Sequence, residues 1–268
     1  MTEPRSGVLT IEKTVGPNRY LFSLRNSVPL AAVAPAFFLA GQSNAGNQDA
    51  VPGTVDARVS LTWGSMYDTV VDGPGPMRMQ TKGVTGHSFE WQSGSDLAAH
   101  FNSNIIVGKF WADGQLVQSF LPSGGLWPKF SAVLESIASQ CVAAGVTHIE
   151  FAWCQGEGNA NAALPTELAA YEADTSTLLD EVKALLASHG LTTYFTIIKT
   201  NIHIYSMGDA NVPALNTVRA AQEHLAVVRA DTDIVNLDDI TTYTTLHYGF
   251  GQTNTGGSRV VTSVLARY

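Results

Sequence analysis

Apolar positions fall along this chain in two alternating rhythms. Short runs rich in β-branched or aromatic residues read as strands buried on both faces: Ala36 to Ala40, Val59 to Trp63, Ile105 to Trp111, Ile149 to Cys154, Tyr194 to Lys199 and Asp233 to Leu237. Between them the spacing becomes that of a helix. Phe130, Val133, Leu134, Ile137 and Cys141 recur at i, i+3, i+4 and i+7, and Gly145 supplies a stop. Leu168, Tyr171, Leu178, Leu179, Val182, Leu185 and Leu186 mark a longer helix closed by Gly190. Leu215, Val218, Ala221, Gln222 and Leu225 mark a third, and Val260, Val261, Val264 and Leu265 place a last one over Ser258 to Ala266.

This alternation predicts an α/β fold, a three-layer α/β/α arrangement around a central parallel sheet with right-handed crossovers. Ligands of such sheets bind outside the carboxyl ends of the strands, so chemistry is expected just after strands rather than within helices. The first thirty residues break the rhythm. Residues 1–30 read as an N-terminal extension packed on the same domain, with strand character at Val8 to Ile11 and Tyr20 to Leu24, and residues 31–268 as the main domain.

Charge and composition narrow the partners. The net charge is −8, and no cluster of Lys and Arg offers a surface for nucleic acid. Two cysteines, Cys141 and Cys154, fall on a helical stripe and at a strand end, and are expected to be free, buried thiols. The apolar run Val28 to Ala40 is too short to span a bilayer and too far inside the chain for a signal peptide. The expectation is a soluble protein, cytoplasmic or released by a signal-independent route such as a phage particle, with no membrane partner.

Three segments carry residues suited to chemistry. In Gly41-Gln42-Ser43-Asn44, a serine stands in a Gly-flanked turn at the mouth of a strand, where a nucleophile can be both fixed and exposed. Free N–H groups of a helix starting there would help to hold an oxyanion, but the same pattern equally suits a serine that caps a helix. In Gln155-Gly156-Glu157, a side-chain amide after a strand can donate to an oxyanion; a polar loop with a buried Glu157 accounts for the same spacing. The third segment is His247, before the terminal helix. Of the seven histidines, His100, His148, His189 and His224 fall in or beside helices, and His203 has no Gly-rich or Ser-rich context. No His or Cys pair has metal-ligand spacing, so no metal is expected. His247 is the general base by position.

Together these segments resemble the SGNH hydrolases, whose fold is flavodoxin-like, and in particular the branch of the sialate O-acetylesterases and the acetylxylan esterases of carbohydrate esterase family six. The resemblance runs over roughly residues 35 to 268. Gly41-Gln42-Ser43-Asn44 resembles that branch's first block, and Gln155-Gly156-Glu157 its third. Val218-Arg219-Ala220-Ala221-Gln222 and the segment from Lys109 to Pro122 are similar to a helix motif and an active-site loop of the branch. For the second block, Gly86-His87-Ser88-Phe89-Glu90 is the best match, with Ser88, or alternatively Gly86, where the family has its glycine.

The resemblance implies a carbohydrate O-acetylesterase. Ser43 is then the nucleophile and His247 the base; the Ser43 and Ser88 N–H groups and the Gln155 amide form the oxyanion hole, and no cofactor is required. It also exposes a departure. The family's acid sits three residues before the histidine, where this chain has Thr244. Three arrangements follow: a Ser–His dyad oriented by a backbone carbonyl near Thr244, which is the favoured one; Asp238 or Asp239 reaching in from a strand end; or a weakly supported His247 in a slow or inactive protein. The substrate implied is an O-acetylated sialic acid, bacterial polysaccharide or xylan. Trp91 and Trp127 are candidates to stack on sugar rings, whereas Trp111 and Trp153 read as core. The competing reading is a non-catalytic carbohydrate-binding or structural module, which would have no need to keep both Ser43 and His247.

Overall fold

The computed structural model describes residues 34–46, 56–68, 71–77, 86–203, 209–240, 247–249 and 251–268, and the backbone of strands over 8–15, 18–25, 80–82 and 84–86. The chain divides into two compact units, Met1–Val33 with Tyr268, and Ala34–Arg267. In the first, β1 (Val8–Val15) and β2 (Asn18–Arg25) pair antiparallel, with Val8 opposite Arg25 and Val15 opposite Asn18.

The second unit opens with β3 (Ala36–Gly41), β4 (Val59–Ser65), β5 (Asp72–Pro76), β6 (Gln80–Lys82) and β7 (Val84–Gly86). Strands and helices then alternate: α1 (Phe89–Phe101), β8 (Ile105–Trp111), α2 (Trp127–Ala144), β9 (His148–Cys154), α3 (Pro165–Ser188), β10 (Thr192–Ile198), α4 (Val212–Val228), β11 (Thr232–Val235) and α5 (Gln252–Leu265). Seven strands form one sheet in the order β11-β10-β9-β3-β8-β4-β5. All neighbours are parallel except β5, which runs antiparallel to β4. The predicted parallel α/β sheet is therefore the observed one.

Alternation along the central strands sorts the core into two layers. Phe38 and Ala40 pack with Phe110, Phe151 and Trp153 under the helices α2, α3 and α4. Phe37 and Leu39 face the other way, with Val107, Trp111 and Cys154, under α1 and α5. Every residue of β3 is buried, which explains a strand that reads as one continuous apolar run.

Two differences from the sequence reading have one cause. The periodicity gives no helix before β8, yet α1 is there, and α5 begins six residues before the predicted Ser258. These two helices pack on each other through small residues. The Ser93 hydroxyl donates to the Gly257 carbonyl at 3.1 Å, and a Cβ at Gly257 would stand 2.6 Å from the Phe89 carbonyl oxygen. A contact made of Gly and Ser leaves no apolar stripe for the period to register. β5 is hidden for another reason: its sequence Asp-Gly-Pro-Gly-Pro is tolerated only because it lies at the sheet's edge.

Candidate active site

The site begins with a close approach of two strands. Gly41 ends β3 at φ +152°, and a Cβ there would lie 1.8 Å from the Cys154 carbonyl oxygen. Only glycine lets the chain run this near β9. The next residue, Gln42, donates its N–H to the same carbonyl at 3.0 Å, and its Oε1 accepts the Gly158 N–H at 3.0 Å. A single 3₁₀ turn, Ser43–Ala45, follows. β3 and β9 are also where the winding reverses: the chain leaves β3 toward β4 on one side and β9 toward β10 on the other. The crevice outside such a point is the expected ligand site.

Ser43 faces that crevice from the first position of the turn. Its Oγ stands 2.9 Å from His247 Nε2, across 204 residues of sequence. The cap position belongs to Gln42, with no side-chain cap bond, so the hydroxyl of Ser43 is not used to end a helix. Its own N–H meets no acceptor among the described residues, which leaves it directed to whatever binds beside the hydroxyl.

The segment that carries His247 is anchored at Tyr248 by Asn44, a residue to which the sequence reading gave no role. Asn44 Oδ1 accepts the Tyr248 N–H at 3.2 Å, and its Nδ2 donates to Glu157 Oε1 at 2.8 Å. Thus one side chain joins the Ser43 turn, the histidine segment and the loop after β9. Burial pushes the Glu157 carboxyl up, opposed by the Asn44 amide, and its Oε2 is enclosed without a partner; a proton on that oxygen costs less than a charge. Burial also holds the His247 imidazole below its ordinary 6.5, partly offset by the Asp113 carboxylate.

The two remaining oxyanion candidates have their donors engaged elsewhere. Gln155 Nε2 donates to Asn159 Oδ1 at 2.7 Å and to the Gln115 carbonyl at 3.2 Å. The Ser88 N–H donates to Glu90 Oε2 at 2.9 Å, and the Ser88 hydroxyl to the Asn44 carbonyl. In this structure these residues brace the loops around Ser43, and of the three expected donors the Ser43 N–H is the one without an acceptor among the described residues. His87, beside Ser88, is fully buried with its ring 4.9 Å from that of Trp91. Gly86 closes β7, where it pairs with Gln80.

The two candidate acids, Asp238 and Asp239, are likewise engaged by other groups. Asp238 receives both guanidinium nitrogens of Arg219, at 2.9 and 2.7 Å, and the Ile202 N–H at 3.0 Å. Burial opposes its ionisation, but these donors prevail and bring its carboxyl down to about 2. Asp239 is held by both nitrogens of Arg259 at 2.5 Å. Neither bonds His247. Thr244 lies outside the described residues. Among the described residues the second ring nitrogen of His247, Nδ1, has no hydrogen-bond partner.

The two motif segments on either side serve as framework. Gln222 Nε2 donates to the Gln155 carbonyl at 2.8 Å, where the Tyr171 hydroxyl also donates at 3.0 Å, and Gln222 Oε1 accepts the Thr200 N–H. Lys109, fully buried, donates to Glu90 at 2.8 Å and to the Gly46 carbonyl at 2.9 Å, tying α1 and β8 to the Ser43 turn. Of the aromatic candidates, Trp111 and Trp153 are buried, and so, against expectation, is Trp91; Trp127 is half-buried. Both cysteines are free and buried. Among the described residues no group of His, Cys, Asp and Glu could hold a metal ion, and no helix is long and apolar enough to cross a membrane.

With a Ser–His pair at the carboxyl edge of a parallel sheet, comparison with solved structures becomes informative. A protein from Arabidopsis thaliana superposes with a TM-score of 0.67 at 15% identity, over 88% of this chain and 99% of that one. NanS gives 0.62 at 11% identity, over 87% and 98%. A carbohydrate acetylesterase from Xanthomonas citri gives 0.58 at 16% identity, over 84% of this chain and 54% of its own. The fold is that of the SGNH hydrolases. Neither a protein-family model nor a curated protein sequence matches the chain, so the likeness to this SGNH fold is one of structure.

Proposed function

We propose that the chain is a serine esterase of the SGNH hydrolase superfamily that removes O-acetyl groups from a carbohydrate. The observation that carries this reading is the 2.9 Å contact between Ser43 Oγ and His247 Nε2 at the β3/β9 crevice. Carbohydrate acetylesterases among the structures of like fold support the substrate class. In the reaction, His247 takes the hydroxyl proton as Ser43 Oγ bonds to the acetyl carbonyl carbon. The Ser43 N–H stabilises the resulting oxyanion. The C–O bond to the sugar breaks, His247 passes its proton to the sugar oxygen, and water then releases acetate from Ser43 by the reverse sequence. No step calls for a cofactor.

The test is acetate release from p-nitrophenyl acetate and from O-acetylated sialic acid, bacterial polysaccharide and xylan. Wild type is expected to turn over, and Ser43→Ala to fall to background, a loss on the order of 10³-fold or more. If no ester is cleaved and Ser43→Ala changes nothing, the chain is a binding or structural module on a hydrolase fold.

A further inference from the structure

A second hollow opens on the same carboxyl edge of the sheet, where the end of β4 meets the start of α2. Its volume is about 260 Å³. That lies just under the range of about 300–1,000 Å³ in which drug-sized ligands are held, so there is room for a single ring. The floor is apolar, made by Phe110 and Val133. Gly64 keeps it open, since a Cβ there would stand 2.8 Å from Val133 Cγ2. The walls are polar. Asp68 is buried, and its Oδ2 accepts the Ser65 hydroxyl at 2.5 Å. Lys129 gives one N–H to the Met66 carbonyl at 2.7 Å, and an ammonium carries two more. Ala132 stands exposed at the rim.

One carboxylate and one ammonium in so small a cavity set its preference. An anionic guest would meet Asp68 and a cationic one Lys129, each shedding water against a like charge. An uncharged polyol suits both. Its hydroxyls donate to Asp68 and accept from Lys129, while the C–H face of its ring lies on Phe110 and Val133. We propose that this cavity is a subsite for one neutral sugar ring of an oligosaccharide or polysaccharide whose acetyl ester is presented to Ser43. The presentation to Ser43 rests on the esterase reading; the binding of the ring does not. Only β8 separates β4 from β3 in the sheet. At about 4.8 Å between neighbouring strands, the cavity lies roughly 10 Å from the Ser43 turn. A short oligosaccharide spans that distance, and a free monosaccharide does not. Along the way the exposed Tyr67 joins the ends of β4 and β8 by donating to Asp113 Oδ2 at 2.8 Å.

The experiment titrates the isotope-labelled full chain, carrying Ser43→Ala, with xylohexaose, N-acetylated chitohexaose and an oligosialic acid of the same length, read by amide NMR. At least one neutral sugar is expected to shift the signals of Ser65, Asp68 and Lys129, and the charged one to leave them in place. Ala132→Phe, which plugs the mouth from an exposed helix position, should weaken that binding roughly tenfold or more. Lys129→Ala should weaken it roughly tenfold, and serves alone if Ala132→Phe fails to fold. With Ser43 intact, either variant should raise KM for the acetylated form of the same sugar by a similar factor. If neither neutral sugar moves these signals, or the charged one moves them equally, the proposal is overturned, even where wild type cleaves acetyl esters. Binding at the cavity with no ester cleaved leaves the sugar site standing and sinks the esterase reading. A KM that holds while binding weakens cuts the cavity off from Ser43 and overturns its place as a subsite.

Discussion

At the scale of single residues, the site depends on side chains that hold other side chains. Ser43 and His247 were legible in the sequence because each follows a punctuated break after a strand, and because few other residues offer a nucleophile and a base in that setting. Asn44 was not. It is an ordinary polar residue whose role exists only once β3 and the segment of His247 are brought together. The balance of forces on His247 has a measurable consequence. Burial disfavours the imidazolium more than Asp113 favours it, so the neutral, basic form survives below pH 6.5. Esterase activity is therefore expected to persist as pH falls through 6.5 and to be lost only below it, a profile that kcat/KM measured from pH 4 to 8 would display. An acid limb above 6.5 would contradict it.

The elements were easier to read than their junctions. The six predicted strands recur as β3, β4, β8, β9, β10 and β11 with ends shifted by no more than about two residues. The α2 helix ends where Gly145 adopts φ +71°. What the pattern concealed was any contact made by small residues, as between α1 and α5. The β3–β9 junction is the sharpest case, since its tolerance is set by a missing Cβ. Gly41→Ala should therefore cost at least about 3 kcal/mol, because a Cβ 1.8 Å from the Cys154 carbonyl oxygen can be accommodated only by parting the two strands. Denaturant unfolding would measure this. A loss below about 1 kcal/mol would mean that β3 and β9 can separate without harm.

For the molecule as a whole, the notable commitment is an ion pair with no access to water. Lys109 and Glu90 are both fully buried, 2.8 Å apart, in the layer that joins α1 to β8. Burial lowers the Lys109 pKa, while Glu90 pulls the other way. Removing one partner leaves a charge stranded, so Lys109→Met is expected to destabilise the fold by about 3–5 kcal/mol. Converting both residues, Lys109→Met with Glu90→Leu, should recover much of that loss. If the double variant is as unstable as the single one, the pair is required for the Gly46 contact and not merely balanced against itself. Here too the sequence was silent: Lys109 lies within the predicted strand Ile105 to Trp111, and only the helix packed over it reveals the glutamate.

The proximity of Gly41 to Cys154 also gives the protein an internal gauge of its own breathing. Burial and the nearby Glu157 raise the Cys154 thiol well above its ordinary value, so it stays protonated and shielded directly beneath the crevice. A thiol reagent can reach it only when the packing that covers it opens. Its rate of modification is then a clock for those openings, readable in the unmodified chain without any introduced label.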